Sequence, residues 1–423
     1  MNRTHAIKTT TVGSFPRPAD LVDLLWQAES GEPVDEHHTL SARLKQAVTE
    51  VVTAQVEAGL TIVSDGEMSR LSFASYVPSR LSGFEGADTP FAPRDLLEFG
   101  GLARRLWADW QRVPHTPMCV GPITYRGMAA LRRDIDHLQA ALAQVGDSES
   151  GSSVEGFMTA SSPGNVALIY ADQHYGSREA YLHAIALAMR EEYQAITQAG
   201  LILQVDCPDL PMCRNLPACS SREDYTHHLW QSVEALNFAL SGIDPARVRI
   251  HVCWGNYWGA HTADPPLQEL IEIIFAVHAG AFSIEAANRR HAYEWTVFED
   301  ARVRGLLGER LLIPGVIDTK TNVVEHPETV AHELLRFARV LGPKRVMAGT
   351  DCGLCTYASV PGLDPQVAWA KVASLVTGAR LASQTLAAQE GYRRPLPPGW
   401  RLESRIGRRG AIKDDGPRGI GGG

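Results

Sequence analysis

Eight short apolar runs, most of them separated by segments long enough to form a helix, constrain the fold of this chain most strongly. Strands that alternate with helices indicate a parallel sheet, and eight such units predict a closed (β/α)8 barrel, or TIM barrel, in the α/β class. The runs lie at residues 9–12, 60–67, 117–122, 201–206, 249–256, 280–285, 311–318 and 345–351.

Residues 1–400 are expected to form this barrel as one catalytic domain, with a mobile Ser- and Gly-rich surface loop at about 145–165. A domain boundary at that loop is the alternative, but the strand and helix rhythm resumes unchanged beyond it. Residues 401–423 are rich in Arg and Gly and have no hydrophobic period, which predicts a disordered tail or a surface arm.

Composition and net charge indicate which classes of partner the protein binds. The 423 residues are 44% hydrophobic, enough for a sizeable core, and the net charge of −8 is spread along the chain. This balance argues against nucleic acid and membranes and favours small-molecule partners. Without a signal core or an apolar run of membrane-spanning length, we expect a cytoplasmic protein, and a homo-oligomer is compatible with the sequence. The seven cysteines are then expected to be thiols, metal ligands or core residues.

Polar residues follow the apolar runs where a barrel would place its active site, at the carboxyl-terminal ends of the strands. Any one acid in such a position is as well explained as a helix cap, but the whole set is harder to dismiss. The residues concerned are Ser14, Glu67, Asp206, His251, Cys253, Glu285, Asp318, Asp351 and Cys352.

His251 and Cys253 are two residues apart, so a strand places both side chains on one face. Taken alone, the pair is explained by a buried strand with a small apolar cysteine. With Glu285 and Cys352 at later strand ends, the four side chains predict a zinc site of one imidazole, two thiolates and one carboxylate. A redox pair of Cys352 and Cys355 competes, but such pairs usually open a helix in a smaller fold.

Six motifs that occur in order along the chain carry a resemblance to a known family. They are Thr9-Thr10-Thr11-Val12-Gly13-Ser14-Phe15-Pro16, Ser64-Asp65-Gly66-Glu67, Gln204-Val205-Asp206, His251-Val252-Cys253, Ile284-Glu285 and Gly349-Thr350-Asp351-Cys352-Gly353-Leu354. This ordered set resembles the catalytic barrel of cobalamin-independent methionine synthase, and the resemblance covers most of residues 7–385.

The resemblance implies a zinc-dependent thiol S-methyltransferase, in which the zinc-bound thiolate of homocysteine or a similar thiol attacks a methyl donor. It places zinc on the four residues predicted above. It also places Gly13, Ser14, Glu67 and Asp206 around the amino acid end of the thiol substrate.

Four departures from the family pattern argue against folate as the donor. The second, N-terminal barrel of full-length members has no counterpart in these residues, and Cys207 interrupts the usual Asp-Glu-Pro. Tyr125 stands where the family has a folate-stacking tryptophan, and Thr319-Lys320 stands where it has a proton-donating histidine. Lys320 is our candidate catalytic cation or proton donor, and a solvated loop lysine is an equal alternative. His291 and His326 are further candidates.

The departures resemble the single-barrel branch of the family, to which epoxyalkane:coenzyme M transferase is similar. That reaction keeps the activated thiolate and replaces the methyl donor by an alkyl donor, an epoxide. Glu67 and Asp206 suit the ammonium of an amino acid thiol, whereas the sulfonate of coenzyme M would need cations. A barrel that binds zinc or thiols without catalysis is the third hypothesis.

Overall fold

A curled parallel sheet of six strands, which pair in the order 62–64, 155–161, 202–206, 248–252, 281–284 and 311–314, forms most of the barrel wall in this computed structural model. The structure describes residues 6–32, 39–87, 91–108, 116–146, 154–358, 360 and 362–393. The strands are β1 Ile62–Ser64, β2 Phe84–Glu85, β3 Met118–Cys119, β4 Glu155–Ser161, β5 Ile202–Asp206, β6 Val248–Val252, β7 Ala281–Ile284 and β8 Leu311–Pro314.

Helices follow or separate these strands and cover the outside of the sheet. They are α1 Ala19–Glu29, α2 Ser41–Glu57, α3 Val77–Arg80, α4 Arg94–Glu98, α5 Gly100–Ala108, α6 Met128–Val145, α7 Pro163–Ile169, α8 Arg178–Gln198, α9 Asp209–Met212, α10 Arg222–Ala239, α11 Leu267–Phe275, α12 Ala301–Leu307, α13 Pro327–Leu341 and α14 Pro365–Arg393. Over the described residues, none of them combines the length and apolarity needed to cross a membrane.

Two further segments close the sheet into a ring through isolated parallel bridges. Val346 pairs with Leu312 of β8, and Ala348 pairs with Thr9. The carbonyl of Thr9 in turn accepts hydrogen bonds from the backbone amides of Thr61 and Ile62, both at 3.1 Å. The predicted (β/α)8 barrel is therefore confirmed, with the first and last strands reduced to a few bridging residues.

The predicted third strand, residues 117–122, is wrong. Met118–Cys119 pairs antiparallel with Phe84–Glu85 in a separate two-stranded sheet. The third barrel strand is instead β4, which pairs with β1 and β5 and lies inside the predicted loop at 145–165. The Ser and Gly content of residues 146–153 led us to extend the loop over a buried run. Residues 147–153 and the predicted tail at 401–423 lie outside the described residues.

The ends and buried faces of two of these helices follow from their caps and their apolar spacing. The helix α8 begins after Ser177, whose side chain accepts a hydrogen bond from the amide of Ala180, and its apolar stripe is buried. The chain leaves it through Gly200 at a φ of 81°. The helix α13 spans Pro327–Leu341, as its apolar spacing predicts, and His326 caps its first turn.

The barrel interior holds a buried cation, Arg249 of β6. Its guanidinium donates to Oε1 of Gln204, to Oγ1 of Thr10 and to the carbonyl of Thr11, at 2.8, 2.9 and 2.9 Å. It also lies 3.6 Å from the centre of the Phe157 ring on β4. Arg249 thus connects β4, β5 and β6 to the closing N-terminal segment.

Replacing this cation should destabilise the barrel severely. We expect Arg249→Met to lower the free energy of unfolding by about 3–5 kcal/mol, because three buried acceptors lose their donor. Urea titration measures this change. Arg302→Met is the control, since Arg302 is exposed in its ion pair with Glu272. This substitution should lower the free energy of unfolding by less than about 1 kcal/mol. Equal losses in the two variants would contradict the role of Arg249.

Candidate metal centre

Three of the four predicted zinc ligands lie together at the carboxyl-terminal rim. The ligand atoms of His251, Cys253 and Cys352 all lie within 4.8 Å of one another, and all three residues are buried. The two sulfur atoms are 3.8 Å apart. Among the residues that the structure describes, neither ring nitrogen of His251 has a hydrogen-bond partner. A buried imidazole without partners costs free energy, so this group fits a soft cation such as zinc.

Glu285, the fourth predicted ligand, lies beside this group but is already paired. Its Oε1 accepts hydrogen bonds from Lys320 Nζ and, at 2.9 Å, from Asn288 Nδ2. Its Oε2 accepts from the backbone amide of Trp254 at 3.1 Å. Burial opposes both charges, but their mutual attraction outweighs it, lowering the pKa of Glu285 and raising the pKa of Lys320. Coordination of a metal by Glu285 stays a prediction.

Asp351, one of the predicted strand-end acids, connects two of the strand ends that carry ligands. Its carboxylate accepts hydrogen bonds from the backbone amides of Ala286, Ala287 and Asn288 at 2.9, 2.8 and 2.6 Å. These residues directly follow Glu285, and Asp351 directly precedes Cys352. The side chain therefore fixes the loop after β7 against the last strand and sets the position of Cys352.

Glu67 and Gly13 lie together at the predicted substrate end. Glu67 has a φ of 56° and Gly13 a φ of 141°. A Cβ on Gly13 would lie 2.7 Å from Cγ2 of Thr159, so only glycine fits this approach. Thr159 donates to Oε1 of Glu67 at 2.9 Å, and Arg17 Nη2 lies 3.6 Å from its Oε2. Glu67 is thus held in one orientation.

Asp206 and Ser14 complete the predicted substrate-binding set. Asp206 accepts a hydrogen bond from Gln204 Nε2 at 2.7 Å, and burial raises the pKa of Asp206 to about 7. Ser14 is buried, and its carbonyl accepts from the amide of Leu354 at 2.9 Å. The turn that carries Ser14 therefore packs directly beside the turn that carries Cys352.

One cavity of about 210 Å³ is lined both by predicted metal ligands and by predicted substrate-binding residues. Its lining includes Ser14, Glu67, Asp206, His251, Cys253 and Cys352, whereas much of the remaining wall is apolar, with Phe73, Phe91, Leu96, Leu168 and Trp258. In the part of the chain that the structure describes, no lysine or arginine lines this cavity, and Lys320 lies behind Glu285 instead. The charged groups that reach the cavity at its substrate end are thus carboxylates.

The remaining candidates named from the sequence have other contacts. His291 stacks on Trp254 with ring centres 3.9 Å apart, and its ring nitrogens lie 3.0 Å from Asp264 and from Glu294. His326 accepts a hydrogen bond from the amide of Glu328 at the start of α13. Cys355 is not part of the close ligand group, and its thiol donates to the carbonyl of Tyr357 at 3.6 Å.

Sequence reasoning missed Arg17 and Thr159, the two partners of Glu67. Arg17 directly follows the Gly-Ser-Phe-Pro turn, and this position could have identified it from the sequence as a residue of the site. Thr159 lies in β4, which we assigned to a loop. The adjacent apolar residues Phe157 and Met158 are the sequence signal for this strand.

The fold and the cavity define a TIM-barrel enzyme with its functional groups at the carboxyl-terminal rim. The sequence model for the catalytic domain of cobalamin-independent synthases matches residues 7–91 and 107–371. The chain therefore belongs to the cobalamin-independent methionine synthase family. Both the resemblance and the expectation of a methyltransferase are confirmed.

Relatives of known identity match nearly the whole chain. The methionine synthase of Saccharolobus islandicus is 25% identical over 396 residues, which cover 93% of this chain and 99% of that protein. The methionine synthase of Thermococcus kodakarensis is 23% identical over 384 residues, covering 90% and 95%. A B12-independent methionine synthase from Shewanella sp. W3-18-1 has the same fold, with a TM-score of 0.66, 20% identity and coverage of 90% and 99%.

The turn that presents Glu67 contains a buried acid, Asp65. Its Oδ1 accepts a hydrogen bond from the backbone amide of Glu67 at 3.0 Å. Burial raises the pKa of Asp65 to about 6, although Arg70 opposes the shift. In the unfolded chain the ordinary pKa is near 3.8. The folded state therefore favours the neutral carboxyl, and ionisation between about pH 4 and pH 6 destabilises it.

Replacing Asp65 should change how stability depends on pH. Asp65→Asn keeps the acceptor oxygen but cannot ionise. In the wild type, the free energy of unfolding should fall by up to about 3 kcal/mol as the pH rises from about 4 to 6, and the variant should lack this fall. Urea titrations of variant and wild type across this range measure the difference. The exposed Asp136→Asn is the control. A constant difference between Asp65→Asn and wild type at every pH would contradict the assignment.

Proposed function

We propose that the protein is a zinc-dependent thiol S-methyltransferase acting on homocysteine or a similar amino acid thiol. One observation carries the proposal. A single cavity is lined by two cysteines, a histidine and two carboxylates, and no lysine or arginine among the described residues lines it. A substrate with a thiol and an ammonium group matches both kinds of lining group.

His251, Cys253 and Cys352 would hold the zinc ion, with Glu285 as the proposed fourth ligand. The unpartnered ring nitrogens of His251 and the adjacent thiols support this assignment. Zinc at this site would supply the positive charge that keeps a substrate thiol deprotonated and nucleophilic at neutral pH. Lys320, hydrogen-bonded to Glu285, would balance the negative charge of that carboxylate.

The substrate end would bind and orient the amino acid group. Glu67 is held by Thr159 and Arg17, so its carboxylate needs little reorganisation to accept an ammonium donor. Asp206 faces the same cavity, and an ammonium beside it would favour its ionised form. Ser14 supplies a hydroxyl for the carboxylate of the substrate.

The apolar wall of the cavity would receive the methyl donor and exclude water. In the reaction, a bond forms between the substrate sulfur and the methyl carbon, and the bond from that carbon to the donor breaks. The leaving group keeps the electron pair, and the thiol proton is released to solvent before the attack. The products are a thioether and the demethylated donor.

Tyr125 supports a donor other than folate. The family resemblance places a folate-stacking tryptophan at this position, but the Tyr125 hydroxyl donates to Oε2 of Glu192 at 2.7 Å. Its ring does not line the cavity within the described residues. The absence of a lining cation among those residues also disfavours the coenzyme M alternative, because a sulfonate would meet two carboxylates.

Methyl transfer itself is the first test of this proposal. Zinc-loaded protein should form methionine from homocysteine with at least one of methylfolate, methylcobalamin and small sulfonium or ammonium methyl donors, detected by mass spectrometry. Cys352→Ser should lower the rate at least about 100-fold. Cys119→Ser, which changes a buried cysteine outside the cavity, is the matched control. Formation of no thioether from any donor would contradict the proposal.

The role of Glu67 gives a second test. Glu67→Gln should raise KM for homocysteine about 10- to 100-fold with a small effect on kcat, because it removes a charge-assisted hydrogen bond to the ammonium. The same variant should leave KM unchanged for the analogue in which hydrogen replaces the amino group. Equal changes in KM for the two thiols would show that Glu67 does not bind the ammonium.

A further inference from the structure

A second group of metal-type ligands lies outside the cavity. The ligand atoms of Cys213, Cys219 and His228 all lie within 4.8 Å of one another, and all three residues are buried. Two sulfurs and one imidazole are the same donor set that His251, Cys253 and Cys352 present. None of the three residues lines the cavity in the described chain, so the proposed function leaves them unexplained.

The backbone around this second group is already fixed. Arg214 Nη1 donates to the carbonyls of Cys219 and Ser220, the latter at 3.0 Å, which closes the turn between the two cysteines. The Tyr225 hydroxyl donates to the carbonyl of Leu210 at 3.2 Å and joins α10 to α9. The ligands therefore come from three connected segments whose positions do not require a bound ion.

The charges around the group permit a divalent cation bound by two thiolates. Asp209 is buried and Arg178 is half-buried, and they interact electrostatically with one another and with Cys213. With two thiols the region holds two cations, Arg178 and Arg214, and one anion, Asp209. With two thiolates and a divalent ion it holds the same net charge, so binding adds no uncompensated buried charge. Ionisation gives up one weak contact, from the Cys213 thiol to the Leu210 carbonyl at 3.5 Å.

We propose that Cys213, Cys219 and His228 form a second zinc site. Thiolate and imidazole ligands select zinc over magnesium or calcium. The role of this site is structural. Cys213 directly follows α9. Met212, the last residue of that helix, and Pro208, which precedes it, both line the cavity. The second site would thereby fix one wall of the substrate cavity from behind.

Counting zinc in matched variants tests this site. The full-length protein should bind two zinc ions per chain by elemental mass spectrometry. Cys253→Ser/Cys352→Ser should retain one, and further replacement of Cys213 and Cys219 by Ser should remove it. Cobalt added to metal-free Cys253→Ser/Cys352→Ser should give the near-ultraviolet bands of cobalt–thiolate bonds. Cys119→Ser should behave as wild type.

The possible outcomes distinguish failure of the second zinc site from failure of the proposed methyl transfer. If Cys253→Ser/Cys352→Ser fails to fold, His228→Gln in the otherwise native chain should lower the count from two to one. A folded Cys253→Ser/Cys352→Ser protein that takes up no zinc or cobalt under reducing conditions would overturn the second site. So would an isolated protein whose Cys213 and Cys219 form a disulfide and whose reduction restores no metal binding. A count of two without methyl transfer would overturn the proposed function alone.

Discussion

The buried guanidinium of Arg249 is the interaction on which the site depends. Burial lowers the pKa of Arg249 to about 9, so its charge is retained at neutral pH. Its partner Gln204 also donates to the carbonyl of Val12, at 2.6 Å. Arg249 lies two residues before His251, and Gln204 lies two residues before Asp206. Side chains two residues apart lie on the same face of a strand, so fixing Arg249 and Gln204 also helps to position the predicted metal ligand His251 and the predicted substrate acid Asp206.

Each buried carboxylate near the rim is compensated in a different way. Glu285 is neutralised by Lys320, and Asp351 is satisfied by three backbone amides. Glu67 keeps one oxygen without a hydrogen bond although Arg17 is close, and Asp206 has an amide partner but no ion pair among the described residues. Glu67 and Asp206 are the two of these acids that line the cavity, which suits them to a cationic group.

The fold could largely be predicted from the sequence, because apolar runs and strand-end polar residues are local signals. The spacing of His251 and Cys253 also fixed their shared face. Contacts between distant segments could not be predicted. The pairing of Lys320 with Glu285 depends on how two strand ends meet. The strand β4 was not predicted because it closely follows a Ser-rich stretch. The group of Cys213, Cys219 and His228 carries no strand-end signal, since short helical turns bring it together.

The ring closes between the beginning and the end of the barrel chain, and the site lies across that seam. The Val12 amide donates to Oγ1 of Thr350 at 3.2 Å, and a Cβ on Gly353 would lie 1.9 Å from Oγ of Ser14. Residues more than 300 positions apart thus form one wall of the cavity. Because these contacts join residues more than 300 positions apart, the site is complete only when the two ends of the barrel chain have met. A chain still being synthesised cannot present a complete site before residue 352 has emerged.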